Sequence, residues 1–221
     1  MPEKLDEMTM AIRAAREFQD GWIVNLGVGI PTLASSHVEA DKEIIFHSEN
    51  GVLGFGPIIE DPTKASANLV NASSQPVTAK PGMLFVNHDE AFAMIRGGHV
   101  DLSVLGSLQV AENGDLANYH IPGKIVGSFG GGQDLAFCAK RVLVVMTHQS
   151  KFGDPKLVRR CTLPLTAPAV VDRIVTDVAV VDVTPQGFLL REYVPGWTVE
   201  AIQAITDAPL RVAEDVREMA L

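Results

Sequence analysis

The sequence predicts an α/β protein, an open, mostly parallel sheet flanked by helices, in a single domain over residues 1–221. Three observations lead there. Apolar runs of strand length recur at Trp22–Leu26, Met83–Val86, Leu102–Leu105, Val142–Met146 and Val178–Val183, and continuous apolar runs mark strands buried on both faces. Helix-like segments separate several of them, as the crossovers of a parallel sheet require. Forty-seven per cent of the 221 residues are apolar, which supports a sizeable core and excludes intrinsic disorder.

The elements follow in order. Met8, Ala11, Ile12, Ala15 and Phe18 recur at helical spacing, with Arg13, Arg16, Glu17 and Asp20 opposite; Asp6 supplies a cap and Gly21 an end. Trp22–Leu26 is a buried strand, and Gly27–Pro31 a turn whose proline is suited to open a helix. Glu43–Phe46 is a second short strand. Asp89–Arg96 predicts a helix that Arg96 and Gly97 close, a cation and a glycine at the carboxyl end. Gln133–Ala139 and Pro168–Thr176 read as further helices, and Thr147–Asp154 as a polar surface loop. Val199–Ile205 is the last helix, capped by Thr198, with Glu200 in the first turn where the dipole favours an acid.

Charge and motifs narrow the chemistry. Eighteen basic against 27 acidic residues leave a net charge of −9, which argues against nucleic-acid binding. No apolar run approaches membrane-spanning length, and the opening residues MPEKLDEMTM lack the apolar stretch of a secretion signal, so a cytoplasmic protein is expected. Cys138 and Cys161 form no CxxC pair, the six histidines no HxxxH pair, and no G-x-S-x-G occurs. Zinc, dithiol and serine-hydrolase chemistry of those kinds are therefore unsupported, and no metal site is expected.

Three segments are too rich in glycine and polar residues for packing alone. In His47–Pro57, Glu49 follows a predicted strand, where open α/β sheets bind ligands; on S-E-N-G alone, a glycine-rich strand exit with Glu49 in solvent is the better reading. In Gly127–Leu135, the bare N–H groups of Gly130, Gly131 and Gly132 suit a phosphate or an oxyanion, and a flexible loop fits as well. In Arg96–Asp101, Arg96 suits a carboxylate or phosphate, but its place at a helix end explains it better. The cations Lys151, Lys156, Arg159 and Arg160 read as a solvated face, with contact to a cofactor phosphate as the sharper alternative.

Taken together, these residues resemble the B subunit of class I coenzyme A transferases, the succinyl-CoA:3-oxoacid and acetate/acetoacetate group, over nearly the whole chain. The resemblance runs through Val24–Thr32, Ser48-Glu49-Asn50-Gly51, Phe92–Asp101, Gly114–Asn118, Ile121–Lys124, Gly130-Gly131 and Cys161–Thr166, in that order. Each motif is weak, but the ordered series is specific. Two departures stand out. The family commonly reads G-G-A-M-D-L where this chain has Gly130–Leu135, and N-A-G where it has Asn71-Ala72-Ser73; the first bears on acyl specificity or rate.

The resemblance implies a CoA-transferase fold, with Glu49 as nucleophile and carrier of a glutamyl-CoA thioester in a ping-pong exchange. Ser48, Asn50 and Gly51 would position it. The backbone at Gly130, Gly131 and Gly132 would hold the oxyanion, and Gln109 and Asn118 are candidate substrate contacts. Coenzyme A is then a substrate and transient adduct, with no permanently bound cofactor. The partners implied are an A subunit, in an α2β2 assembly, together with acyl-CoA and carboxylate substrates, with no membrane and no nucleic acid. The competing readings are a hydrolase or lyase on the same fold, with Glu49 as a base toward water, a non-catalytic CoA- or anion-binding subunit, and, less well fitted, a sugar-phosphate isomerase of related architecture.

Overall fold

A computed structural model describes residues 2–123 and 128–220; Lys124 and Gly127 of the motifs above lie outside them. The first helix, α1 (Glu7–Ala15), is capped by the Asp6 carboxylate, which accepts from the Thr9 N–H at 2.7 Å. It buries Met10, Ala11 and Ala14. Strand β1 (Ile23–Leu26) leads into the short helix α2 (Ile30–Leu33), with Pro31 in its first turn as expected.

Strand β2 (Ile45–Ser48) runs two residues past the expected end at Phe46. His47 and Ser48 are polar yet buried, because partners for them are built into the fold. Two-residue strands β3 (Val52–Leu53) and β4 (Leu84–Phe85) follow, then helix α3 (His88–Arg96), where the Glu90 carboxylate accepts from the Asn87 N–H at 2.8 Å. Met83–Val86 was expected to be buried on both faces; instead Leu84 and Phe85 are exposed, because β4 is the edge of the sheet and has a neighbour on one side only.

The rest comprises β5 (Leu102–Leu105), β6 (Gln109–Ala111), β7 (Leu116–Ala117), α4 (Gly132–Cys138), β8 (Val142–Met146), β9 (Leu157–Val158), β10 (Arg173–Thr176), β11 (Ala179–Thr184), β12 (Gly187–Tyr193), α5 (Val199–Ala204) and β13 (Leu210–Glu218). The expected helix over Pro168–Thr176 is absent: Ala169 has φ of 51°, and Arg173–Thr176 is a strand. Its β-branched Ile174 and Val175 are completed by pairing with Val144 and Val145 of β8 and with Val181 and Val180 of β11. Tertiary pairing outweighs the local apolar spacing here.

The large sheet has the order β13-β12-β11-β10-β8-β5-β1-β2-β3-β4; β6, β7 and β9 form a small second sheet. The centre, β10-β8-β5-β1-β2, is parallel. From β1 the chain steps one way to β2, then returns to the other side for β5, β8 and β10. The order therefore reverses between β1 and β5, and such a switch point opens a crevice at the carboxyl ends of the strands. Helices cover both faces. Phe46 packs edge-on against Phe18, just past α1, with ring centroids 6.0 Å apart, while His47 bonds to the Ala91 carbonyl of α3 at 3.0 Å, and successive strand residues point to opposite faces. Among the described residues no helix is long and apolar enough to cross a membrane.

Candidate active site

The Glu49 turn is made by the exit of β2. The Gly51 N–H donates to the Ser48 carbonyl at 2.9 Å, closing a four-residue turn with Glu49 and Asn50 at its tip. Gly51 has φ of 97°, and a Cβ there would lie 2.1 Å from the Val86 carbonyl oxygen. No other residue meets both conditions. The Ala72 N–H donates to Ser48 Oγ at 2.8 Å, and Asn50 Nδ2 donates to the Val70 carbonyl at 2.7 Å. Ser48, Asn50 and Gly51 thus hold the turn rather than touching the carboxylate. His88 Nδ1–H donates to the Glu49 backbone carbonyl at 2.7 Å.

Beneath the turn, Asn25 Nδ2 donates to His47 Nδ1 at 3.0 Å, and His47 Nε2–H donates to the Ala91 carbonyl. This pattern fits a neutral imidazole. Burial lowers the His47 pKa, against the opposing pull of its bond to Ala91 and of the Glu49 charge.

The glycine loop lies over the same place. A Cβ on Gly131 would sit 2.9 Å from Phe92 Cζ and 3.5 Å from Glu49 Cγ. The Gly130 N–H is taken by Ser128 Oγ at 3.1 Å and the Gly132 N–H by the Phe129 carbonyl at 2.7 Å. The Gly131 N–H has no partner among the described residues. Arg96 ends α3 as expected and also forks onto Asp134 of α4, at 2.8 and 3.2 Å, joining the helix beside Glu49 to the one that begins at the glycines.

Glu49 opens onto a cavity of about 520 Å³, whose wall includes Gly27 and Gly106 from the β1 and β5 exits, Asn118, and Gly130, Gly131 and Gly132. Glu49 Oε2 is buried and has no hydrogen-bond partner among the described residues. Asn118 reaches the cavity with its amide held: Nδ2 donates to the Gly106 carbonyl at 3.2 Å, and Oδ1 accepts from the Thr166 hydroxyl at 2.6 Å. Gln109 is placed elsewhere. Its Oε1 accepts from the N–H groups of Thr162 and Leu163 at 2.9 and 3.1 Å, and it is not part of the cavity wall.

Sequence reasoning missed His88, Phe92, Tyr119 and Phe129 in this wall. The i,i+4 pairing of His88 and Phe92 on α3, with ring centroids 4.7 Å apart, was the available signal. A second crevice of about 370 Å³, between α1 and β10–β13, is walled by ion pairs such as Arg13–Glu192, Arg173–Glu17 and Arg217–Glu192. Among the described residues no group of three His, Cys, Asp or Glu side chains is placed to hold a metal ion.

A carboxylate with a bare oxygen and, close by, a backbone N–H without a partner among the described residues lie at the switch point of the α/β sheet, where such folds bind ligands. The chain belongs to the coenzyme A transferase family, which matches residues 7–204. It is 47% identical over 211 residues to human succinyl-CoA:3-ketoacid coenzyme A transferase 2, mitochondrial, covering 94% of this chain and 40% of that protein. It is 44% identical over 212 residues to the B subunit of the 3-oxoadipate CoA-transferase of Acinetobacter baylyi, covering 94% and 95%. The solved acyl-CoA transferase of Escherichia coli O157:H7 shares the fold at a TM-score of 0.76 and 21% identity, over 98% of this chain and 44% of that one.

Proposed function

We propose that this chain is the glutamate-bearing B-type subunit of a transferase that moves CoA from an acyl-CoA to a second carboxylic acid, with Glu49 carrying CoA between them. The observation that carries the reading is the buried, unpartnered Oε2 of Glu49. Leaving a buried acceptor bare costs about 1–3 kcal/mol, more if it is charged. That cost raises the reactivity of the carboxylate as a nucleophile.

The exchange balances without a proton. A Glu49 oxygen attacks the thioester carbonyl, and the tetrahedral oxyanion collapses with loss of CoA thiolate, leaving an acyl-glutamyl anhydride. The thiolate then attacks the glutamyl carbonyl. The first acid departs as its carboxylate, and a glutamyl-CoA thioester remains. A second carboxylate reverses the sequence and restores Glu49. The Gly131 N–H is the oxyanion donor of this scheme, a contribution of about 3–4 kcal/mol for a well-placed group. Gly130 and Gly132 shape the loop, and Asn118 contacts the substrate.

The partner is a separate A-type chain, in an α2β2 assembly, closing the cavity against water. Two features support it. Val28 and Phe129, both on the cavity wall, are 72% and 49% exposed, and such an open apolar rim suits a covering chain. The human relative is a single chain of which this one spans 40%, leaving room there for both halves. The free thiols Cys138 and Cys161 suit a cytoplasmic, reducing setting.

The test uses this chain with its A-type partner. After incubation with an acyl-CoA, peptide mass spectrometry is expected to find a CoA-sized adduct on Glu49, lost in Glu49→Ala. Steady hydrolysis with no adduct and no transfer to an added acid would refute it.

A further inference from the structure

The turn over residues 48–51 has two accessible forms, and its sequence suits both. Serine in first place and glycine in last favour type I, while asparagine in third place tolerates the positive φ that type II needs. The two forms differ by a rotation of ~150° in the central peptide, the one that joins Glu49 to Asn50. Among the described residues other than glycine, positive φ is confined to Ser74 and Ala169, so type II is not the form adopted. The rotamers open to a side chain depend on its own backbone angles. The direction of this one peptide therefore governs where the Glu49 carboxylate can reach.

One contact selects that direction. The carbonyl of the central peptide belongs to Glu49, and its partner among the described residues is His88 Nδ1–H, at 2.7 Å. A carbonyl only accepts, so the proton sits on Nδ1. His88 is itself held. It opens α3, whose first turn is closed by the Glu90 bond to the Asn87 N–H. The Val86 N–H donates to the Gly51 carbonyl at 2.9 Å, which ties the approach to α3 to the same turn. The His88 ring lies against Phe92, and the Arg96 guanidinium sits over the Phe92 ring, 5.4 Å from its centroid. His88, Phe92 and Arg96 recur at every fourth residue and form one ridge on α3. The ridge runs from the Glu49 carbonyl to Asp134 of α4, the helix that begins at the glycines.

We propose that His88 is a positioning residue for Glu49: it fixes the central peptide of the turn, and through it the aim of the carboxylate at the acyl carbonyl. This rests on the transferase reading above and adds to it a residue outside the glutamate turn. Without the imidazole donor the central peptide is free to rotate, and a nucleophile displaced by about 1 Å can cost a hundredfold in rate.

The test uses the assembled enzyme and two variants that divide the imidazole between them. His88→Phe keeps a ring against Phe92 and removes the donor. His88→Asn removes the ring and keeps an amide N–H where Nδ1 stands. His88 is exposed, so neither variant disturbs the core. In His88→Phe, kcat and the rate of adduct formation on Glu49 are expected to fall by about 10- to 100-fold, with KM for acyl-CoA and acid unchanged. His88→Asn is expected to recover most of the loss. Hydrogen–deuterium exchange, read by mass spectrometry on peptides spanning residues 48–51, should quicken in His88→Phe and return to the wild-type rate in His88→Asn. An unchanged kcat in His88→Phe overturns the proposal. So does an equal loss in both variants, or a raised KM with kcat intact, which would assign the ring to the substrate. Equal exchange in all three proteins overturns it whatever their activity. Should the wild type form no adduct and transfer no CoA, the transferase reading falls and exchange alone judges His88. Quickening in His88→Phe that His88→Asn reverses then sustains its hold on the turn, and the absence of that pattern refutes it.

Discussion

Acidification should destabilise this protein through one buried imidazole. His148 is fully buried, and burial, aided by the Lys4 charge, depresses its pKa from 6.5 to about 3. Its hydrogen bonds explain the direction. Thr206 Oγ1 donates to the Ile202 carbonyl at 2.8 Å, so it accepts from His148 Nε2–H, also at 2.8 Å. His148 Nδ1 faces Thr176 Oγ1 at 3.1 Å, and that oxygen already accepts the N–H groups of Val178 and Ala179. A proton added on Nδ1 has nowhere to donate.

The folded pKa is depressed, so the contribution to stability is complete above pH 6.5 and is lost as pH falls toward 3, because the unfolded chain takes up the proton first. Between pH 7.5 and pH 5 the two pKa values imply a loss of about 2 kcal/mol from this residue. Denaturant unfolding of the wild type and of His148→Gln at both pH values isolates it. The glutamine variant is less stable at neutral pH, but its fall between the two should be about 2 kcal/mol smaller. Equal falls in both proteins would refute the reasoning.

Two further substitutions separate the turn from its surroundings. Gly51→Ala combines a left-handed backbone with a Cβ 2.1 Å from the Val86 carbonyl. Thermal melting should show a loss of about 1–3 kcal/mol or more, with transfer activity falling along with it as Glu49 is displaced. Gln109→Ala should lose stability alone: it removes the acceptor of the Thr162 and Leu163 N–H groups, costing about 1–3 kcal/mol, while KM for acyl-CoA and acid stays unchanged.

Most of the parallel centre was legible because its strands are continuous apolar runs, and β5 and β8 lie where those runs do; β10 was the exception, its local spacing reading as a helix. The edges were not legible. β13 alternates charged residues as LRVAEDVRE, a pattern that protects an edge strand but carries no run to read. The carboxyl half of β2 was hidden because His47 is polar, and only the folded chain supplies Asn25 and the Ala91 carbonyl to satisfy it. At the site, the ordered motifs pointed to Glu49, which lies on the cavity. Its bare oxygen was not legible, since it depends on contacts between segments far apart in the chain, nor was the division of labour among the three glycines, which the bonds of the Ser128–Gly132 turn decide. Gln109 and Asn118 looked equivalent as lone amides; the second sheet and the Thr162–Leu163 backbone claim the first and leave the second at the cavity.

The long excursion from β3 to β4 is fastened to the glutamate turn at Ala72 and Val70. Pulling on that strap moves Glu49, because Ser48 and Asn50 sit on either side of it and are tied to the strap. On the proposed reading, acid preference or rate is then adjustable from the strap beyond Ala72, which itself lines the cavity, and sequence drift there offers natural variation a tuning lever remote from the reacting carbon.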